Sequence, residues 1–193
     1  GGDPAPETSG FYGGTPATGP RHPLPGVSGN NCTEQLGIAG PWADRLAHFR
    51  MEFTPSQGEE LQSEYLIPRE HAVDALRTMR RLSGVLTPLL LVAEIRTIAA
   101  DRLWLSPNYG RDGIGLHFTW RQDQPAVEAI LPLIEAELAP FAARPHWGKL
   151  FHAGAAAITP LYPRSADFIA LANRLDPKGK FRNDFLDRTL FST

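Results

Sequence analysis

One cysteine, Cys32, stands in 193 residues. That count excludes an internal disulfide framework and any metal site built on several thiolates, and it favours a reducing compartment, the cytoplasm. Basic charge is scarce as well. Nineteen Lys and Arg against 21 Asp and Glu leave a formal net charge of −2 and a pI near 6.3, so the broad basic surface that grips a phosphate backbone is missing, and nucleic acid is not an expected partner. No apolar run approaches the ~20 residues of a membrane span, and the chain opens on neither a basic nor an apolar leader segment, so the chain reads as soluble, with no membrane partner. The six histidines, His22, His48, His71, His117, His146 and His152, show no H-E-x-x-H spacing, which argues against a metal centre. Gly148-Lys149 and Gly179-Lys180 lack the rest of a phosphate loop, and neither a G-x-S-x-G elbow nor a dinucleotide fingerprint occurs.

With 42% hydrophobic residues, the chain has enough apolar surface for one sizeable core but not for two comfortable ones. Its first thirty residues are nearly half glycine and proline without apolar periodicity, a composition that cannot bury enough surface to offset the entropy of ordering it. The expected organisation is a Gly/Pro-rich arm or linker over 1–40 and one compact domain over 41–193 that ends in a helical tail.

The periodicity past the arm is regular. "HFRMEF" (48–53) alternates Phe49, Met51 and Phe53 with charges, the period of a half-buried strand, and "LQSEYLI" (61–67) reads as its hairpin partner. A helix is expected from Pro68 to Gly84, carrying Val73, Leu76, Met79 and Leu82 at helical spacing. "PLLLVAEIRTIA" (88–99) and "GIGLHFTW" (113–120) read as strands, 125–141 as a helix with a proline inside it, and "SADFIALANRL" as a helix of the tail. Strands and helices in this order give an α+β fold in which helices cover one face of an antiparallel sheet.

Successive strand residues point to opposite faces. Ile114, Leu116, Phe118 and Trp120 therefore share the helix-covered face, while Gly113, Gly115, His117 and Thr119 share the other. By the same parity Glu94 joins Arg96, Gln62 aligns with Glu64, and a face carrying Gln62, Glu94, Arg96, His117 and Thr119 results. Two readings of that face stand side by side. It is either the solvated side of an antiparallel sheet, the commoner case, or a surface whose carboxylate, guanidinium, imidazole, amide and hydroxyl grip a polyhydroxylated ligand, because each sugar hydroxyl both donates and accepts.

"RPHWGKLF" (144–151) poses a separate question. Trp147 and Phe151 favour burial, Gly148 permits a sharp backbone and Pro145 fixes the entry, so Lys149 is either held against apolar groups and aimed at something specific or is an ordinary loop lysine snorkelling from an apolar patch.

Together "ELQSEY", "EIRT", "HFTW", "RPHWGKLF" and "DPKGKFRNDFLDR" resemble the C-terminal half of the alditol oxidases, flavoproteins close to the sugar-lactone oxidases of the vanillyl-alcohol oxidase superfamily. The resemblance runs from about Gly19 onward. It implies the substrate, or cap, domain of a flavin oxidase, with the FAD-binding module missing and FAD attached covalently to that module. It implies a polyol such as xylitol or sorbitol as substrate and O2 as acceptor, with hydride transfer from C1 to flavin N5 and release of H2O2. It further implies that Glu94, Arg96, Thr119 and Lys149 bind the polyol, that Gln62 and His117 line the same pocket, and that Arg96 and His146 touch the flavin; Lys149, Arg96 and Glu94 are the expected catalytic set. A chain lacking the flavin module is expected to be a fragment that is inactive alone. An aldonolactone oxidase and a stand-alone carbohydrate-binding module are the alternatives.

Overall fold

The computed structural model describes residues 13–22, 24, 26–45 and 60–191. The chain divides into two compact units, Gly1–Gly58 and Glu59–Thr193. In the first unit the described residues form short turns, including 3-10 turns at Gly29–Asn31 and Trp42–Asp44, and Gln35 bonds the backbone of Arg21 in both directions. Cys32 is buried there. The expected strand at 48–53, and with it the expected hairpin, lies outside the described residues.

The second unit carries a four-stranded sheet, β1 (Leu61–Pro68), β2 (Leu90–Ile98), β3 (Gly113–Trp120) and β4 (Arg144–Pro145), in the order β2-β3-β1-β4 with antiparallel neighbours. α1 (Ala72–Arg81), α2 (Ser83–Leu86) and α3 (Gln124–Leu138) accompany it, and α4 (Ala155–Ile158), α5 (Ser165–Leu175) and α6 (Asp184–Leu186) form the tail before a π-helical turn at Asp187–Phe191. This is the expected α+β architecture. Among the described residues no helix is long and apolar enough to cross a membrane.

The alternation of β3 explains the layers. Ile114, Leu116, Phe118 and Trp120 enter the core with Tyr65 and Ile67 of β1, and α3 answers with Val127, Leu131, Ile134 and Leu138, spaced four, three and four residues apart on one side of the helix. Trp120 is fully buried, stacks on Phe118 and donates its indole N–H to Ser63 Oγ at 3.1 Å, so the polar end of the largest core side chain is satisfied.

The expected helix at 68–84 needs correction. Pro68 closes β1 opposite Gly113, a 3-10 turn follows at Arg69–His71, and helix begins at Ala72, breaking at Leu82 before α2. A proline at the last position of a strand surrenders no ladder bond that the strand needs, so the strand could run one residue further than its apolar pattern suggests.

Candidate active site

The register of the sheet builds one row of side chains. Glu94 of β2, His117 of β3 and Glu64 of β1 stand directly opposite one another, with Arg96, Gly115 and Leu66 in the next row, and Thr119 opposite Gln62 in the row on the other side. Gly115 is the gap that lets the rows converge. A Cβ there would lie 2.7 Å from Glu64 Oε1, inside van der Waals contact, so any other residue would displace the end of that carboxylate.

The segment after β4 closes over this face because it continues the pairing with β1. His146 N–H donates to Glu64 O at 2.9 Å and Leu150 N–H to Gln62 O at 2.9 Å, while the residues between form a turn closed by Lys149 N–H to His146 O at 3.1 Å. Lys149 rises from that turn. Trp147 anchors it from behind, donating its indole N–H to Leu105 O at 2.8 Å and packing on Phe151 and Tyr162. The adjacent Arg144, also buried, donates to Leu161 O, Pro107 O and Tyr109 O, tying the segment to the loop that joins β2 to β3.

Lys149 therefore points at a built target. Its Nζ lies 2.5 Å from Glu64 Oε2 and 2.7 Å from His117 Nδ1, with the lysine side chain only 14% exposed. Glu64 is the hub of the cluster: 5% exposed, it meets Lys149 through Oε2 and Arg96 Nη1 through Oε1 at 3.5 Å. Arg96 in turn reaches Glu94 Oε2, at 2.5 Å from Nη2 and 3.1 Å from Nε. Burial alone would push the Glu64 carboxyl up; the hydrogen bond from Lys149 and the positive charges of Lys149 and Arg96 outweigh that and hold it down at about 2.

These contacts assign protons. An ammonium only donates, so the 2.7 Å contact requires a lone pair on His117 Nδ1 and puts the imidazole proton on Nε2, which donates to Thr119 Oγ1 at 3.2 Å. The 3.4 Å approach of Nδ1 to Glu64 Oε2 is then a close contact without its own proton. Two of the three Lys149 N–H bonds are engaged and one is left, and Thr119 accepts from His117 while its own O–H is left to donate. His146 brings a second imidazole to the lysine turn. Its Nδ1 accepts the Gly148 N–H at 3.1 Å, which puts the ring proton on the other nitrogen, and burial, with the charge of Lys149 beside it, pushes its pKa down.

The structure thus brings Glu94, Arg96, His117, Thr119 and Lys149 into one connected cluster. Gln62 stands on the same face across from Thr119, and His146 at the mouth of the lysine turn. The face is buried at its centre, where His117 is 4% and Glu64 5% exposed, and open to solvent along β2 at Arg96. Glu64 is the member that the sequence reading left out of the cluster. Its signal was present in the parity, two residues from Gln62 in a strand otherwise apolar at that end, but parity names a face and not a partner. Among the described residues, no three His, Cys, Asp or Glu side chains gather as metal ligands.

A family model described as D-arabinono-1,4-lactone oxidase matches residues 43–189. The chain belongs to this family. It is 54% identical over 171 residues to an alditol oxidase of a Streptomyces species, covering 89% of this chain and 41% of that protein. It is 36% identical over 135 residues to an L-gulono-1,4-lactone dehydrogenase of Mycobacterium tuberculosis, covering 67% of this chain and 30% of that protein, and 26% identical over 134 residues to the mouse L-gulonolactone oxidase. The chain spans less than half the length of these relatives.

Proposed function

We propose that this chain is the substrate-binding half of an FAD-dependent alditol oxidase that converts a polyol and O2 to an aldose and H2O2. The observation that carries the reading is the cluster itself: a buried Glu64–Lys149–His117–Thr119 chain beside the Glu94–Arg96 pair, in a chain that shares 54% identity with an alditol oxidase. Two carboxylates and two cations cancel, so the face holds no surplus charge for a sugar acid or phosphate and suits a neutral polyol. Glu94 and Arg96, with side chains 37% and 44% exposed, keep free edges for hydroxyls further along the polyol. The third Lys149 N–H meets the oxygen of the reacting C1 hydroxyl, where negative charge grows as the C–H bond breaks, and Arg96 adds to the same field. Gln62 and Thr119 complete the grip.

The donor set also suits a flavin. Arg96 and the outward imidazole N–H of His146 offer positive or hydrogen-bonding contact to an electron-rich ring, and FAD, when bound, supplies the hydride acceptor and passes the electron pair to oxygen. In this reading FAD is carried covalently by a flavin-binding module outside these residues, which fits the 41% coverage of the Streptomyces relative. That module packs against the tail, where Leu175 and Phe181 stand 72% and 80% exposed. Residues 1–193 alone then do not turn over, and the enzyme works in the cytoplasm, as its single cysteine favours. A second reading, an aldonolactone oxidase, is supported by the family model and the lactone-oxidising relatives.

The test is peroxide release by the full-length flavoprotein carrying this chain, with xylitol, sorbitol and L-gulono-1,4-lactone offered in turn. Preference for the polyols supports the first reading and preference for the lactone the second. A flavoprotein that oxidises none of them refutes both.

A further inference from the structure

We infer that Glu64 is a positioning residue of the reaction, acting through Lys149 and His117 without touching substrate. The inference rests on the reading that this face holds the reacting alcohol. Lysine is a flexible point charge on a four-carbon stem, and an ammonium meant to meet one oxygen must be stopped from swinging. Glu64 stops it: its Oε2 takes one N–H at 2.5 Å, which turns a second onto His117 Nδ1 at 2.7 Å and leaves the third with a fixed direction. The same carboxylate sets the tautomer of His117 at one remove. As long as Lys149 is an ammonium held at Nδ1, the ring proton stays on Nε2 and the Thr119 hydroxyl is obliged to accept from it and to donate outward. One buried anion therefore orients two donors on the substrate side.

The surroundings are built for that carboxylate. Backbone N–H of His146 bonds the carbonyl of Glu64, so the lysine turn and its counterion are placed by one residue, and Gly115 keeps open the space that Oε1 occupies. A purely structural ion pair has no need of a glycine in the neighbouring strand, since a longer approach from the surface would serve.

The experiment uses the full-length holoenzyme with its preferred alcohol, and rates are normalised to bound flavin. Glu64→Gln is expected to lower kcat about 100-fold, as a displaced catalytic group does, while KM moves less than about fivefold, because Glu94, Arg96 and Thr119 still hold the substrate. Glu64→Asp keeps the charge and recovers part of kcat. Gly115→Ala displaces the mobile end of Glu64 while leaving its charge, and lowers kcat roughly tenfold. Parent kcat in Glu64→Gln overturns the inference; if that variant does not fold, parent kcat in both Glu64→Asp and Gly115→Ala overturns it. A parent enzyme inactive on every polyol and lactone refutes the functional reading instead, before any variant is compared.

Discussion

Acid should dismantle the cluster through Glu64, and the size of the effect follows from the structure. The folded state holds this carboxyl at about 2 against an ordinary 4.5, and roughly 1.4 kcal/mol per tenfold change in proton affinity makes the difference about 3 kcal/mol. The sign is that of a depressed carboxylate: the stabilisation is complete above pH 4.5 and disappears as pH falls through 2. Glu64→Gln removes it at every pH and leaves the Lys149 ammonium buried without its counterion, a loss of about 3–5 kcal/mol at pH 7. The assay is urea unfolding of parent and variant between pH 7 and 2, followed by tryptophan fluorescence, to which Trp120, fully buried against Phe118, contributes. Other carboxylates lower the stability of both proteins as acid is added, so the informative quantity is the gap between the two curves. It should be widest at neutral pH, begin to close below 4.5 and nearly vanish near 2. Adding Lys149→Met to the Gln variant should recover part of the loss at pH 7, because the orphaned charge is then gone. A gap that stays constant with pH would show that Glu64 carries no special charge role and would sink the account of the cluster.

Other consequences are simpler to check. Under the proposed function, Lys149→Ala and Arg96→Ala in the full-length protein should each cut turnover at least about 100-fold, measured as peroxide release, since in that reading each removes a cation from the oxygen that gains charge. Trp147→Ala should cost about 3 kcal/mol by thermal or urea unfolding, through the lost packing on Phe151 and Tyr162 and the lost bond to Leu105. Because the same ring braces the lysine turn, its kcat should fall along with its stability. Ser63→Ala strands the buried indole N–H of Trp120 and should cost about 1–3 kcal/mol with kcat per folded enzyme unchanged, because Ser63 faces the core and not the site.

Several elements could be read directly from the chain because their signal is local. The strands at 88–99 and 113–120 and the helix at 125–141 appear as β2, β3 and α3 with its following turn, the last two each carried by four core-facing residues of one period. The 61–67 strand was legible for the same reason. β4 was not: two residues, Arg144 and Pro145, carry no period, and they form a strand only because the backbone of Tyr65 and Leu66 is there to pair with. Arg144 is a related case, a buried guanidinium whose partners are carbonyls from two distant loops, contacts that no spacing in the sequence encodes.

Alternation by itself determined that His117 and Thr119 lie on the face opposite Trp120 and Phe118, and that Glu94 lies with Arg96, because side-chain direction in a strand depends only on position along it. Which strands become neighbours, and in what register, depends on the free energy of the whole packed unit. Only the tertiary structure therefore decided that β1 lies beside β3, that Glu64 stands opposite His117, and that a turn some 85 residues further on brings Lys149 to the same carboxylate.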